Sequence, residues 1–270
     1  MRKGIKMKNK NSSKILALLI TISLLLSFLC ACANPSEAEG TTEAPEDIPT
    51  NVEPGKRVAI TFDDGPHNVR TVKIVDELAK YGYHATFFVV GNRIDGSSYN
   101  GSAGLKYVAE KGNEIAIHGY THSSKNYYDK CDDATYKFEL SETEKAIKSV
   151  VNNASVRLMR PVGGRITDDR IQTSKYSVIM WSVDSEDWAY KYTSTDTDEE
   201  AAQKVNTIVN NVMNSVRDGS IILMHDIYES TYDALVIILD KLHQQGYDVV
   251  TVSELLGEEL AAGRQYYDAK

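Results

Sequence analysis

From Lys56 onward, short apolar runs of strand character alternate with longer amphipathic runs of helical period, and this alternation narrows the fold more than any other feature of the chain. Val58 to Phe62, Ala85 to Val90, Glu114 to Ile117, Leu158, Val178 to Val183, Ser220 to Met224 and Asp248 to Val252 have strand character. Between them, Val72 to Tyr81 places Val72, Ile74, Val75, Leu78 and Ala79 on one helical stripe. Leu105 to Lys111, Tyr136 to Val151, Glu199 to Val216 and Thr231 to Gln244 read as further helices. Parallel strands need a crossover between them, so the pattern belongs to an α/β fold with a parallel sheet covered by helices. About seven strands favour a distorted (β/α) barrel over an open doubly wound sheet.

Polar residues fall where the apolar runs stop. Asp63 and Asp64, His118, Asp184 and Asp187, and His225 with Asp226 each follow a strand-like run, and in a parallel barrel the strand C-termini share one mouth. Neighbouring carboxylates repel, so Asp63 and Asp64 ask for a cation, although Asp64-Gly65-Pro66 is also good turn chemistry by itself. His118 and His122 stand four positions apart, the spacing that brings side chains to one side of a helical turn. Together these residues suggest an Asp-His-His metal site. Zinc is the natural ion for two imidazoles and one carboxylate, with a position left open for water.

Three more segments carry chemistry. Arg160, in Leu158-Met159-Arg160-Pro161-Val162-Gly163-Gly164, can fix a carboxylate by paired hydrogen bonds while the glycines let backbone amides approach a substrate oxygen. A solvated arginine on a surface loop is the other reading. The segment Trp181 to Trp188 sets acids between two indoles, which suit a sugar face or, for Trp188, the core. His225 ends a buried run and can trade protons near neutral pH.

The first 55 residues do not belong to this pattern. Arg2, Lys3, Lys6, Lys8, Lys10 and Lys14 precede an apolar run from Ile15 to Leu29, which is too short for a comfortable membrane span and reads as an export signal. Leu29-Cys30-Ala31-Cys32 resembles a bacterial lipobox, which would make Cys32 the lipid-bearing mature N-terminus. Soluble secretion after cleavage near Ala31 or Ala33 is the alternative. Residues 33–55 are rich in Ser, Thr, Glu, Pro and Gly, cannot bury a core, and read as a flexible acidic tether between the signal, residues 1–32, and the domain, residues 56–270.

Loss of a leader with six basic residues and no acidic one makes a chain of net charge -8 more acidic still, which argues against nucleic acid as a partner. Membrane contact would then rest on the lipid at Cys32. Only one of three cysteines, Cys131, lies in the domain, so a disulfide within it is excluded, and neighbours Lys130, Asp132 and Asp133 do not mark it as a reactive thiol.

Five segments in order resemble the polysaccharide deacetylases of the NodB-homology type, carbohydrate esterase family 4. Thr-Phe-Asp-Asp-Gly-Pro at 61–66 stands intact, and His118-Gly119-Tyr120-Thr121-His122 fits the family's His-x-x-x-His. Arg160 to Gly164 resembles Arg-x-Pro-x-Gly with Val162 in place of a proline. Asp184 to Trp188 keeps Asp-x-x-Asp-Trp, and Leu223-Met224-His225 keeps Leu-x-His; Gly91-Asn92-Arg93 also looks familial. The resemblance covers about Lys56 to Leu256. It implies a NodB-like barrel, a divalent metal, zinc by expectation, on Asp64, His118 and His122, and Asp63 as general base.

It further implies His225 as general acid, Arg160 holding Asp63, Asp187 supporting His225, a backbone amide near Gly163 for the oxyanion, and Trp188 with Leu223 walling an acetyl pocket. The expected activity is removal of N-acetyl groups from hexosamines of a cell-surface polysaccharide, with peptidoglycan N-acetylglucosamine foremost, at the extracellular face of a bacterial membrane. Chitin oligomers, poly-N-acetylglucosamine, O-acetylated xylan and a glycan-binding role without turnover stay open as alternatives.

Overall fold

The computed structural model describes residues 55–94, 96 and 99–269. The export signal, the lipobox at Cys32 and nearly all of the acidic tether lie outside the described residues. Among the described residues no helix is long and apolar enough to cross a membrane.

Strand β1 (Lys56–Asp63) is followed by helix α1 (Arg70–Ala79), β2 (Thr86–Val89), the short α2 (Gly91–Ile94), α3 (Ser102–Glu110) and β3 (Glu114–Ile117). The long α4 (Asp133–Val150) leads to β4 (Leu158–Met159), α5 (Asp168–Gln172), β5 (Ser177–Ile179) and β6 (Val183–Asp184). Helix α6 (Asp198–Met213), β7 (Ile221–His225), α7 (Glu229–Gln244), β8 (Tyr247–Val249), α8 (Val252–Leu256) and β9 (Gln265–Tyr266) complete the order.

The strands run in the order β6-β7-β1-β2-β3-β4-β5-β9, all pairings parallel, with β8 beside the first residues of β1. The sheet is covered on both faces, and the pleat of β1 shows how. Val58, Ile60 and Phe62 join the cluster that takes in Ile74, Val75 and Leu78 of α1 and Leu235, Ile238 and Leu239 of α7. Ala59 points into a separate cluster with Phe88, Ala116, Leu158, Ile179 and Ile221, filled by Val252 and Leu256 of α8. One strand thus serves a helix layer and a barrel interior on alternate residues. Phe62 stacks on Phe87 with ring centroids 5.1 Å apart, and removing either buried ring would cost about 3–5 kcal/mol.

The barrel does not close edge to edge. Its edge strands are β6 and β9, and after β9 the chain crosses to the start of β7, where Ser220 bridges Asp268 in antiparallel fashion and Ala269 N–H bonds Gly219 O at 2.9 Å. Among the described residues nine short strands stand where about seven are expected, because one expected run divides and β9 is added. The run from Val178 to Val183 breaks into β5 and β6 because Ile179 O and Met180 O accept from the Arg160 side chain at 3.0 and 2.9 Å instead of continuing a ladder. The expected strand Asp248 to Val252 is cut short by α8, which Thr251 starts with a capping box to Glu254.

Candidate active site

Because every strand runs the same way, Asp63, His118, Arg160, Asp187 and His225 all come from C-terminal strand ends or the loops just after them. Asp63 ends β1 and its Cα is the register partner of His225, which ends β7.

Asp64, the next residue, leaves the strand with φ 75, a conformation that costs free energy for a residue with a side chain and persists where its surroundings fix it. The turn that follows is packed closely. A Cβ on residue 65 would lie 2.3 Å from Asp226 Oδ2 and 2.4 Å from Oδ1, so only glycine fits. Asp226 is fully buried behind this turn, accepts from the Thr71 hydroxyl, and is pushed by burial up to about 7.

His118 and His122 do meet, but not through a helical turn. The segment is a loop in which Gly119 takes φ 78 and His122 φ 50, leaving the two rings 5.4 Å apart. The loop is held by Glu139, a buried carboxylate on α4 that accepts from Tyr120 N–H at 2.6 Å, Thr121 N–H at 2.8 Å, Thr121 Oγ1 at 2.5 Å and Asn126 Nδ2 at 2.7 Å. Sequence reading missed Glu139. Its signal was there: an acid within α4 beside the buried Leu140, Thr143 and Ile147.

Asp64, His118 and His122 can each offer one ligand atom, all within 4.8 Å of one another. Arg160 O lies 2.9 Å from His118 Nδ1 and can only accept, so that nitrogen carries the proton and Nε2 presents its lone pair. Asp64 Oδ1 is buried and takes no hydrogen bond, although His122 Nε2 stands 2.7 Å and His118 Nε2 3.6 Å from it. A buried carboxylate oxygen crowded by ring nitrogens outside hydrogen-bond geometry fits a cation between them. Burial alone would raise the pKa of Asp64, but contact with His122 and the charges of His118, His122 and His225 hold it far below the usual carboxylate range. Burial pushes His118 down, toward the neutral ring a metal requires.

Arg160 is 0% exposed, so the solvated-loop reading fails. Its Nη1 donates to Asp63 Oδ1 at 2.7 Å and to Thr61 Oγ1 at 2.8 Å, and the guanidinium carbon lies 4.2 Å from the Phe88 ring centroid. Asp63 Oδ2 faces His118 Nε2 at 3.6 Å. After Arg160 the loop turns through Gly163 at φ 63 and Gly164 at φ 69, and Gly164 N–H bonds Pro161 O at 2.9 Å. Tyr127 covers this loop, its hydroxyl 3.6 Å from where a Gly163 Cβ would sit, and sequence reading did not single it out.

Asp187 is buried completely and spends both oxygens on the next group. Oδ1 contacts His225 Nδ1 at 2.6 Å, while Oδ2 accepts from His225 N–H at 2.7 Å and Thr231 Oγ1 at 2.6 Å. Burial opposes charge on His225, but the carboxylate of Asp187, with more distant help from Asp64 and Asp63, pushes its pKa up to about 9. Leu223 is buried two residues before it. Trp188 is 54% exposed, so it is a surface indole beside Asp187 and not a core residue.

A family model for polysaccharide deacetylase matches residues 50–177. The chain is similar to the peptidoglycan-N-acetylglucosamine deacetylase PgdA of Listeria monocytogenes, 31% identical over 254 residues that cover 92% of this chain and 48% of that protein. It is 34% identical over 195 residues to a peptidoglycan-N-acetylglucosamine deacetylase of Bacillus cereus, covering 70% of this chain and 80% of the relative. The structure of peptidoglycan deacetylase PdaC from Bacillus subtilis matches with a TM-score of 0.64 at 35% identity, covering 75% of this chain and 90% of that one. The chain spans about half the length of the Listeria relative.

Proposed function

We propose a function from one premise: this chain belongs to the polysaccharide deacetylase family, carbohydrate esterase family 4. The activity is hydrolysis of N-acetyl groups on hexosamine residues of a cell-surface polysaccharide, with peptidoglycan N-acetylglucosamine as substrate. Two relatives named for that substrate support the choice. The observation that carries the reading is Asp63 in strand register with His225, beside the cluster of Asp64, His118 and His122.

Asp64, His118 and His122 would hold the ion, and their donor set of two nitrogens and one oxygen suits zinc. When bound, such an ion supplies Lewis acidity and makes water acidic enough to attack near neutral pH. Asp63, fixed by Arg160, accepts the proton of the attacking water while oxygen bonds to the acetyl carbon. Negative charge then gathers on the former carbonyl oxygen, where the Gly163 amide can donate to it.

His225, protonated because of Asp187, gives its proton to the sugar nitrogen as the C–N bond breaks, and acetate and a free amine depart. Trp188 and Leu223 wall the acetyl pocket. A lipid on Cys32 holds the domain at the outer face of a bacterial membrane, with soluble secretion as the alternative. The test is acetate release by zinc-loaded protein from purified peptidoglycan, chitin oligomers, poly-N-acetylglucosamine and acetylated xylan. Release from the first supports the reading, while release from the xylan alone overturns amide hydrolysis.

A further inference from the structure

Asp64 and His122 both sit at positive φ, so something must hold two unfavourable turns in mutual register. The chain does this with Val89, the last residue of β2, and the four residues that follow it. His118 N–H bonds Val89 O at 2.8 Å, Val90 N–H bonds Gly65 O at 2.8 Å, Gly91 N–H bonds Gly119 O at 2.9 Å, and Asn92 N–H bonds Tyr120 O at 3.0 Å. Arg93 completes the series with its side chain, donating from Nη1 to the backbone carbonyl of Asp64 itself. Its guanidinium is steadied over the Tyr99 ring, 4.5 Å from the centroid. The strip is close-fitting, since a Cβ on residue 91 would lie 2.4 Å from the Tyr120 ring and 2.9 Å from Thr143 Oγ1.

We propose that Arg93 is a positioning residue for the metal site: by binding the Asp64 carbonyl it holds that residue at positive φ, with its carboxylate turned to His118 and His122. The assignment rests on the reading of those three residues as metal ligands. It follows from where the bonds fall. Residues 90–92 tie both ligand-bearing turns to one strand end through the main chain, whereas Arg93 is a side chain on the ligand's own peptide group. A side-chain donor can be removed without disturbing the main-chain ties, which makes the contribution of Arg93 separable. Outer contacts of this kind commonly change metal affinity by about 10–100-fold.

The experiment is the zinc dissociation constant of the metal-free protein, measured by competition with a chromophoric chelator, for wild type, Arg93→Met and Arg93→Lys. Methionine keeps the stem over Tyr99 and removes the donor; lysine keeps a cationic donor. Arg93→Met is expected to weaken zinc by about tenfold or more, to change the visible absorption of the cobalt-loaded protein, and to regain turnover at saturating zinc. Arg93→Lys is expected to recover most of the affinity. Should Arg93→Met fail to fold, Arg93→Gln, too short to reach the carbonyl, is measured in the same way with the same expectation.

A folded variant without the donor that binds zinc as wild type does, with an unchanged cobalt spectrum, overturns the assignment. So does a loss of affinity accounted for by a smaller folded fraction of the metal-free protein. Wild-type protein whose zinc binding is indifferent to His118→Ala would instead overturn the metal site, a result distinguishable from failure at Arg93 alone.

Discussion

The pair of Asp63 with Arg160 and the pair of Asp187 with His225 are built alike and differ in one partner. Each sets a buried carboxylate against a cationic side chain, at 2.7 Å in the first and 2.6 Å in the second. Arg160 carries a charge that does not titrate in the accessible range, whereas His225 can lose its proton. In the proposed mechanism the first pair therefore keeps a carboxylate in place as an acceptor, and the second keeps a ring charged as a donor. Cross-strand register between Asp63 and His225 puts the two functions side by side. In the proposed mechanism one mouth thus holds an acceptor beside a donor, and the choice of partner sets each role.

Removing the acceptor should have the largest effect. Asp63→Asn is expected to lower kcat for acetate release by about 10²–10⁴-fold while zinc affinity stays near wild type; activity within a few-fold of wild type would break the comparison at its first half. Arg160→Met comes next and should read mainly in stability. It leaves Asp63 and the carbonyls of Ile179 and Met180 buried without their donor, so denaturant unfolding should show a loss of about 3–5 kcal/mol.

A smaller effect is expected at Glu139, which shapes the ligand loop without touching the ligands' ring nitrogens. Glu139→Gln should weaken zinc by about tenfold in a chelator competition, and an unchanged affinity would remove it from the site's support. A further effect concerns pH and stability. His225 has its folded pKa raised from 6.5 to about 9, so its stabilising contribution is complete below 6.5 and disappears as pH rises through 9. Unfolding free energy should fall over that window in wild type and less so in His225→Asn.

The strand and helix rhythm was legible because a sheet covered on both faces demands apolar runs, and the chemistry was legible because a parallel sheet ends all its strands on one side. What escaped reading depends on long-range contacts. His118 and His122 look like a helical pair by spacing, yet Gly119 at φ 78 and the grip of Glu139 make the segment a loop. The break at Met180 follows from Arg160, twenty residues away, claiming two carbonyls. Trp188 could have been core by composition, yet it is exposed while its neighbour Asp187 is buried. Arg93 had a motif around it but no visible purpose until its carbonyl partner was known.

The most direct test of the two-pair account is the pH dependence of kcat for acetate release from peptidoglycan by wild type and Asp187→Asn. Asp187 is the main source of charge on His225, so the account predicts a high-pH limb near 9 in wild type that moves down toward 6.5 in the variant. A limb that stays in place when Asp187 loses its charge would contradict it.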